Sequence, residues 1–285
     1  MAAACLPDPV AASLRLEADY IRQTYETEAG RRMPTAAQVS RGLAASLRDF
    51  FGDDVETLLA HPRFRLHLMA SRGRHILRRE GRVRTPLGYL GAVLSNAVSR
   101  RTLGHWLDRV ILSSPGEPLP VRLDDLRHHR VALTADNFHP ALLASCAIPF
   151  VLQAVHDIPG APAGAYWDGG ITDYHLHLDY ASLNDGLVLY PHFQKAVVPG
   201  WLDKHWKHRH RATPALDNVV VLAPSPAWVA RLPNAKLPDR SDFKRYADDV
   251  PARIRTWQAA VAASTQLADE FAEAAERGRV VPEPL

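Results

Sequence analysis

Short, continuous apolar runs separated by helix-like stretches fill the second half of the chain, and this alternation constrains the fold more than any other feature. Arg130 to Thr134 reads as a short strand, and His139-Pro140 opens a helix that Pro149 terminates. Ala165-Tyr166-Trp167 reads as a strand ending at Asp168-Gly169-Gly170. Gly186 to Tyr190 and Asn218 to Leu222 add two more, the second built on Val219, Val220 and Val221. Runs that are apolar throughout, rather than alternating, suit a sheet covered on both faces. A closing helix from Ala252 to about Arg277 carries Ile254, Trp257, Val261, Leu267 and Phe271. There is no internal repeat. Strands separated by helices predict an α/β fold in one domain.

The first half reads as mostly helical. Asp8-Pro9 combines a capping side chain with a proline at the first helical position. Val10, Leu14, Ile21 and Tyr25 follow near helical spacing, and Gly30 closes the segment. A second helix begins after Pro34, with Val39, Leu43, Leu47 and Phe50 on one face and Gly52 at its end. From Phe64 the period changes to two: Phe64, Leu66 and Leu68 alternate with Arg65 and His67, which predicts a strand. Arg72, Arg74, Arg78, Arg79, Arg82 and Arg84 then crowd together. They read as a solvated face or as a patch for anionic headgroups or phosphate. A helical region runs from Pro86 to about Asp108, and Pro115 to Pro120 is a turn-rich connector. Residues 8 to 110 are expected to form the lid side and the wall of a binding cleft.

Composition removes several function classes. With 34 Lys+Arg against 31 Asp+Glu, the formal charge of +3 does not by itself imply a nucleic-acid partner. Cys5 and Cys146 stand alone, so neither a disulfide framework nor a paired-cysteine metal knuckle is present. A reduced, cytoplasmic protein is expected. The opening residues lack the charged and apolar regions of a signal peptide. Ala141 to Val155, the longest apolar stretch, is interrupted by Ser145, Pro149 and Gln153 and is too short to span a bilayer.

The chemistry concentrates in two motifs. Ala144-Ser145-Cys146-Ala147-Ile148-Pro149 is followed by an apolar strand and then by Asp168-Gly169-Gly170, nineteen residues after Pro149. A carboxylate at the C-terminal end of a strand sits where α/β sheets place reactive groups. The glycines behind it permit a sharp turn and a close backbone approach. Together the two motifs resemble those of the patatin-like acyl hydrolases, in which such a segment precedes an Asp-Gly-Gly turn. The resemblance implies a three-layer fold with a central, mainly parallel sheet between helices. It also implies serine-dependent hydrolysis of lipid esters, of the phospholipase or lipid-esterase kind, through a Ser–Asp dyad without histidine or cofactor. By resemblance Asp168 is the catalytic base, and Gly169 and Gly170 shape its turn.

The family's serine lies in a Gly-x-Ser-x-Gly elbow. Among the sixteen glycines only Gly160 and Gly164 stand four apart, and Pro162 occupies the serine's place. No nucleophile is therefore assigned in this chain. The expectation is that the first strand, oxyanion loop and elbow precede Met1. Cys146, the nearest nucleophilic side chain, reads as core, and Ser145 as a hydrogen-bonding residue at its helix end.

Two other readings compete. If Ile171 to Asp179 is extended, Asp173, His175, His177 and Asp179 share one face, and with Asp168 or His192 they form a ligand set for zinc or another divalent metal. A metal-dependent hydrolase would need no serine. Alternatively, the chain is a catalytically inactive lipid-binding relative. Lys204 to Arg211 is strongly basic, with Trp206 inside it and Trp201 before it. It reads as a solvated loop or as a peripheral contact with an anionic membrane surface.

Overall fold

A computed structural model describes residues 2–24, 34–52, 54–183, 186–278 and 283–285. The N-terminal helices form where the caps predict. Asp8 accepts the Ala11 amide at 2.9 Å and starts α1 (Pro9–Arg22). Thr35 and Gln38 form a capping box at the head of α2 (Ala36–Phe51), and α3 (Val55–Leu59) follows. Tyr25 and Gly30, expected to end the first helix, lie outside the described residues.

The protein is α/β, with a mixed five-stranded sheet flanked by helices. Its strands are β1 (His67–Gly73), β2 (Leu107–Ser113), β3 (His128–Ala132), β4 (Val155–His156) and β5 (Ala165–Asp168), in the order β3-β2-β1-β5-β4. Between β1 and β2 lies α4 (Arg84–Val98), and between β3 and β4 lies α5 (Ala135–Ser145). Only β2 and β3 run parallel; β1 pairs antiparallel with both β2 and β5, and β4 antiparallel with β5. The expected mainly parallel sheet is thus corrected to a mixed one. The long connections that would make β1, β2 and β5 parallel instead return the chain in the opposite sense.

Strand alternation sorts the two faces. Leu68, Ala70, Val110, Leu112 and Tyr166 join Phe138, Ala141 and Ala144 of α5 in one core, which also holds Phe50, Phe51 and the N-terminal Ala3, Cys5 and Leu6. On the other face Ala165, Trp167 and Leu107 pack against Tyr89 and Ala92 of α4. Beyond β5 come α6 (Gly170–Asp173), β6 (Val188–Pro191), β7 (Val219–Leu222), α7 (Pro226–Val229), α8 (Ser241–Arg245) and α9 (Val250–Glu276).

Several local expectations shift. The strand expected from Phe64 begins at His67. The helix expected to run to Asp108 ends at Val98, and β2 occupies 107–113 instead. The two central strands therefore come from the region expected to supply a cleft wall. The helix expected to open at His139-Pro140 begins at Ala135, with the Asn137 side chain accepting the Thr134 amide at 2.8 Å, and Pro140 lies inside it. β6 and β7 form a separate, half-buried parallel pair rather than members of the main sheet. Among the described residues no helix is long and apolar enough to cross a membrane.

Candidate active site

Asp168 ends β5, opposite Ala70 of β1. Its amide donates to the Ala147 carbonyl at 3.0 Å, and its Oδ1 accepts the Gly170 amide at 2.7 Å, which starts the short helix α6. The turn depends on glycine for a steric reason. A Cβ at Gly169 would lie 2.6 Å from the Met69 carbonyl carbon and closer still to its oxygen. The Asp-Gly-Gly motif is thus a strand end pressed onto the neighbouring strand.

The Asp168 carboxyl is half-buried and forms no ion pair with a described residue. Burial raises its pKa above the usual carboxylate value, while the Gly170 amide and the charges of Arg240 and Lys204 draw it partly back. Tyr89, on the inward face of α4, stacks edge-on against Trp167 with ring centroids 5.6 Å apart. Its hydroxyl is buried without a hydrogen-bond partner among the described residues, and burial, followed by the charges of Asp168 and Glu80, pushes its pKa well up. Lys204, Arg240 and Tyr89 had no sequence signal as members of this site. Their charges and dipoles act on Asp168 from distant parts of the chain, and no local spacing encodes that.

Ser145 and Cys146 sit at the end of α5, beside Ala147. The Ser145 hydroxyl donates to the Leu142 carbonyl at 2.8 Å, the helix-end role expected of it. Burial raises the Cys146 thiol pKa, and the Asp168 charge adds to the rise. A thiol held protonated in this way is a poor nucleophile.

The metal reading requires an extended run after Gly170, and the chain does not extend there. Ile171 to Asp173 belong to α6, and Leu176 takes a positive φ of 46°, so the side chains disperse. Asp173 is fully buried against Arg109, at 2.6 and 2.7 Å. His177 Nε2 meets the Thr213 hydroxyl at 3.0 Å, and Asp179 pairs with Arg122 at 3.0 Å. His175 accepts the Val198 amide at 2.9 Å and packs edge-on against His192, centroids 4.3 Å apart. Of the expected ligand set only His175 and His192 come together. Among the described residues no group of three His, Cys, Asp or Glu could hold a metal ion.

The His175–His192 pair has a different consequence. Burial, with the neighbouring His192, Lys204 and His210, lowers the His175 pKa from 6.5 to about 4. The unfolded chain therefore binds more protons than the folded one between those values, and stability rises with pH across this window. Acidification from about pH 7 to about pH 4.5 is expected to cost about 2 kcal/mol through His175. His192 and His177, also lowered by burial, act in the same direction. Urea midpoints at the two pH values check this. His175→Phe should flatten the difference, and an unchanged pH slope in that variant removes His175 as its source.

Compared with protein-family profiles, curated proteins and solved structures, the chain matches none.

Proposed function

We propose that Asp168 is the general base of a patatin-like serine acyl hydrolase acting on carboxylic esters of lipids. The observation that carries this reading is the 3.0 Å hydrogen bond from the Asp168 amide to the Ala147 carbonyl, which joins the two motifs of the resemblance at one point. The carboxyl itself has the properties the role requires. It is half-buried, raised in pKa, oriented through one oxygen by the Gly170 amide, and engaged in no salt bridge with a described residue.

In this reaction Asp168 takes the hydroxyl proton of a serine as that oxygen attacks the ester carbonyl. The alcohol leaves with the proton returned by Asp168, and an acyl-enzyme remains. Water then repeats the attack with the same base and releases the carboxylic acid. The serine is not among these 285 residues, because no Gly-x-Ser-x-Gly elbow occurs in them. Ser145 is committed to Leu142 and Cys146 is held protonated.

An ester assay tests the reading on two polypeptides: this chain, and the product of the reading frame continued upstream of Met1. This chain is expected to give no turnover of a p-nitrophenyl ester above blank. The longer product is expected to turn over, with Asp168→Asn lowering kcat by about a thousandfold or more. Turnover by this chain alone overturns the assignment. So does an upstream frame without an elbow, and the non-catalytic lipid-binding reading then takes its place.

A further inference from the structure

α4 is apolar on both of its faces. Thr85, Gly88, Tyr89, Ala92 and Asn96 are buried on its inner side, while Val83, Leu87, Leu90, Leu94 and Val98 line the outside. The outer positions recur every three or four residues, so they form one stripe about 22 Å long. The stripe is open to solvent, from 54% exposure at Leu90 to 84% at Val98. A surface helix ordinarily shows polar residues there.

The charges along the segment that carries the stripe have one sign. No Asp or Glu occurs between Glu80 and Asp108, whereas Arg82, Arg84, Arg100 and Arg101 fall within that span. Arg82, Arg84 and Arg101 are exposed and form no ion pair with a described residue. A second basic group is fastened to the same end of the helix. Buried Asp203 accepts from Asn96 of α4 at 2.8 Å and pairs with Arg209 at 2.7 Å and Arg100 at 3.2 Å. This clamp sets the run from Lys204 to Arg211 beside the C-terminal end of α4. Lys207, Arg211 and Trp206 are exposed there.

We propose that the outer stripe of α4 and the Lys204–Arg211 run form one docking face for an anionic lipid surface. The leucines and valines enter the acyl boundary, and the arginines and lysines meet the headgroups. Charge complementarity selects this occupant, because an apolar stripe whose own segment, from Gly81 to Leu107, carries arginines and no acidic residue matches an anionic bilayer. The inference deepens the acyl-hydrolase reading by naming the surface that delivers its substrate. Tyr89, on the opposite side of the same helix, touches Trp167, the residue before Asp168.

Vesicle sedimentation tests the face directly, with the intact chain and no need for turnover. The protein is expected to pellet with phosphatidylcholine vesicles containing phosphatidylglycerol, to bind phosphatidylcholine alone at least roughly tenfold more weakly, and to be released by salt. The double variant Leu90→Gln, Leu94→Gln should lower partitioning by roughly tenfold or more, with circular dichroism and melting temperature unchanged because both side chains are exposed. Lys207→Gln with Arg211→Gln should weaken binding only to the anionic vesicles. Equal binding to both vesicle types overturns the proposal, as does wild-type binding by the leucine double variant. A wild-type dimer that the leucine variant converts to monomer, without vesicle binding, assigns the stripe to a second copy of the chain instead. Asp168→Asn is expected to bind as wild type, so a failed ester assay and a failed vesicle assay report on different claims.

Discussion

Asp173→Ala is expected to lower stability by about 3–5 kcal/mol, because it strands a guanidinium in the interior. Arg109 of β2 is fully buried, held on one side by Asp173 and on the other by Asp125 at 2.7 and 3.1 Å. Asp173 is also fully buried, whereas Asp125 is half-exposed and a weaker partner. With Asp173 removed, one flank of Arg109 loses its carboxylate while the Arg100 guanidinium, 3.8 Å from that same carboxylate, stays close by. A chain of this size loses roughly 2–4 °C per kcal/mol, so the melting temperature should fall by about 10 °C. Two companions discriminate the cause. Arg109→Met with Asp173→Leu removes both charges and should recover most of the loss. Asp179→Ala breaks only the exposed pair with Arg122 and is expected to cost less than about 1 kcal/mol. Equal losses for Asp173→Ala and Asp179→Ala would sink the account of a stranded interior charge.

Gly169→Ala is the second large effect, roughly 3 kcal/mol. Its added methyl meets Met69 backbone rather than a side chain that can rotate away. The strain falls on the pairing of β1 with β5, which places Asp168 opposite Ala70. Thermal unfolding should show the loss. Asp168 amide exchange should also accelerate, because its bond to Ala147 depends on the same strand position. Gly170→Ala is the control. Its nearest neighbour is the Asp168 Oδ1 at 3.0 Å, a side-chain atom able to shift, so the cost should be smaller. A Gly169→Ala protein as stable as wild type would mean that β1 and β5 are not in this contact.

The strand that ends in Asp-Gly-Gly was legible because Ala165, Tyr166 and Trp167 precede a turn signal with nothing charged to blur it. β2 was not, although it is the most buried strand. Leu107-Asp108-Arg109-Val110 places two charges in the strand, and local reading assigns them to a solvated helix end. Their partners lie far away: Arg72 reaches Asp108 at 2.8 Å, and Asp173 neutralises Arg109. The crowded arginines were misleading for the same reason. Arg72 and Arg79 are tied to Asp108 and Asp157, and only part of the cluster is free. The alternating Asp and His residues after Gly170 suggested one extended face. The helical turn of α6 and the positive φ at Leu176 cancel that periodicity, and no glycine or proline marks the break at Leu176. Position along a strand could be read locally, whereas the neutralisation of each interior charge required the assembled molecule.

The antiparallel contact of Ala70 with Asp168 has a kinetic consequence. These facing residues are separated by 168 − 70 = 98 positions, so the centre of the sheet cannot close until most of the chain exists. Such distant pairing slows folding, because the loop between the partners must be ordered before any contact rewards it. During synthesis, β1 and β2 can pair across α4 early, while the carboxylate arrives last among the sheet strands, onto an edge already waiting for it.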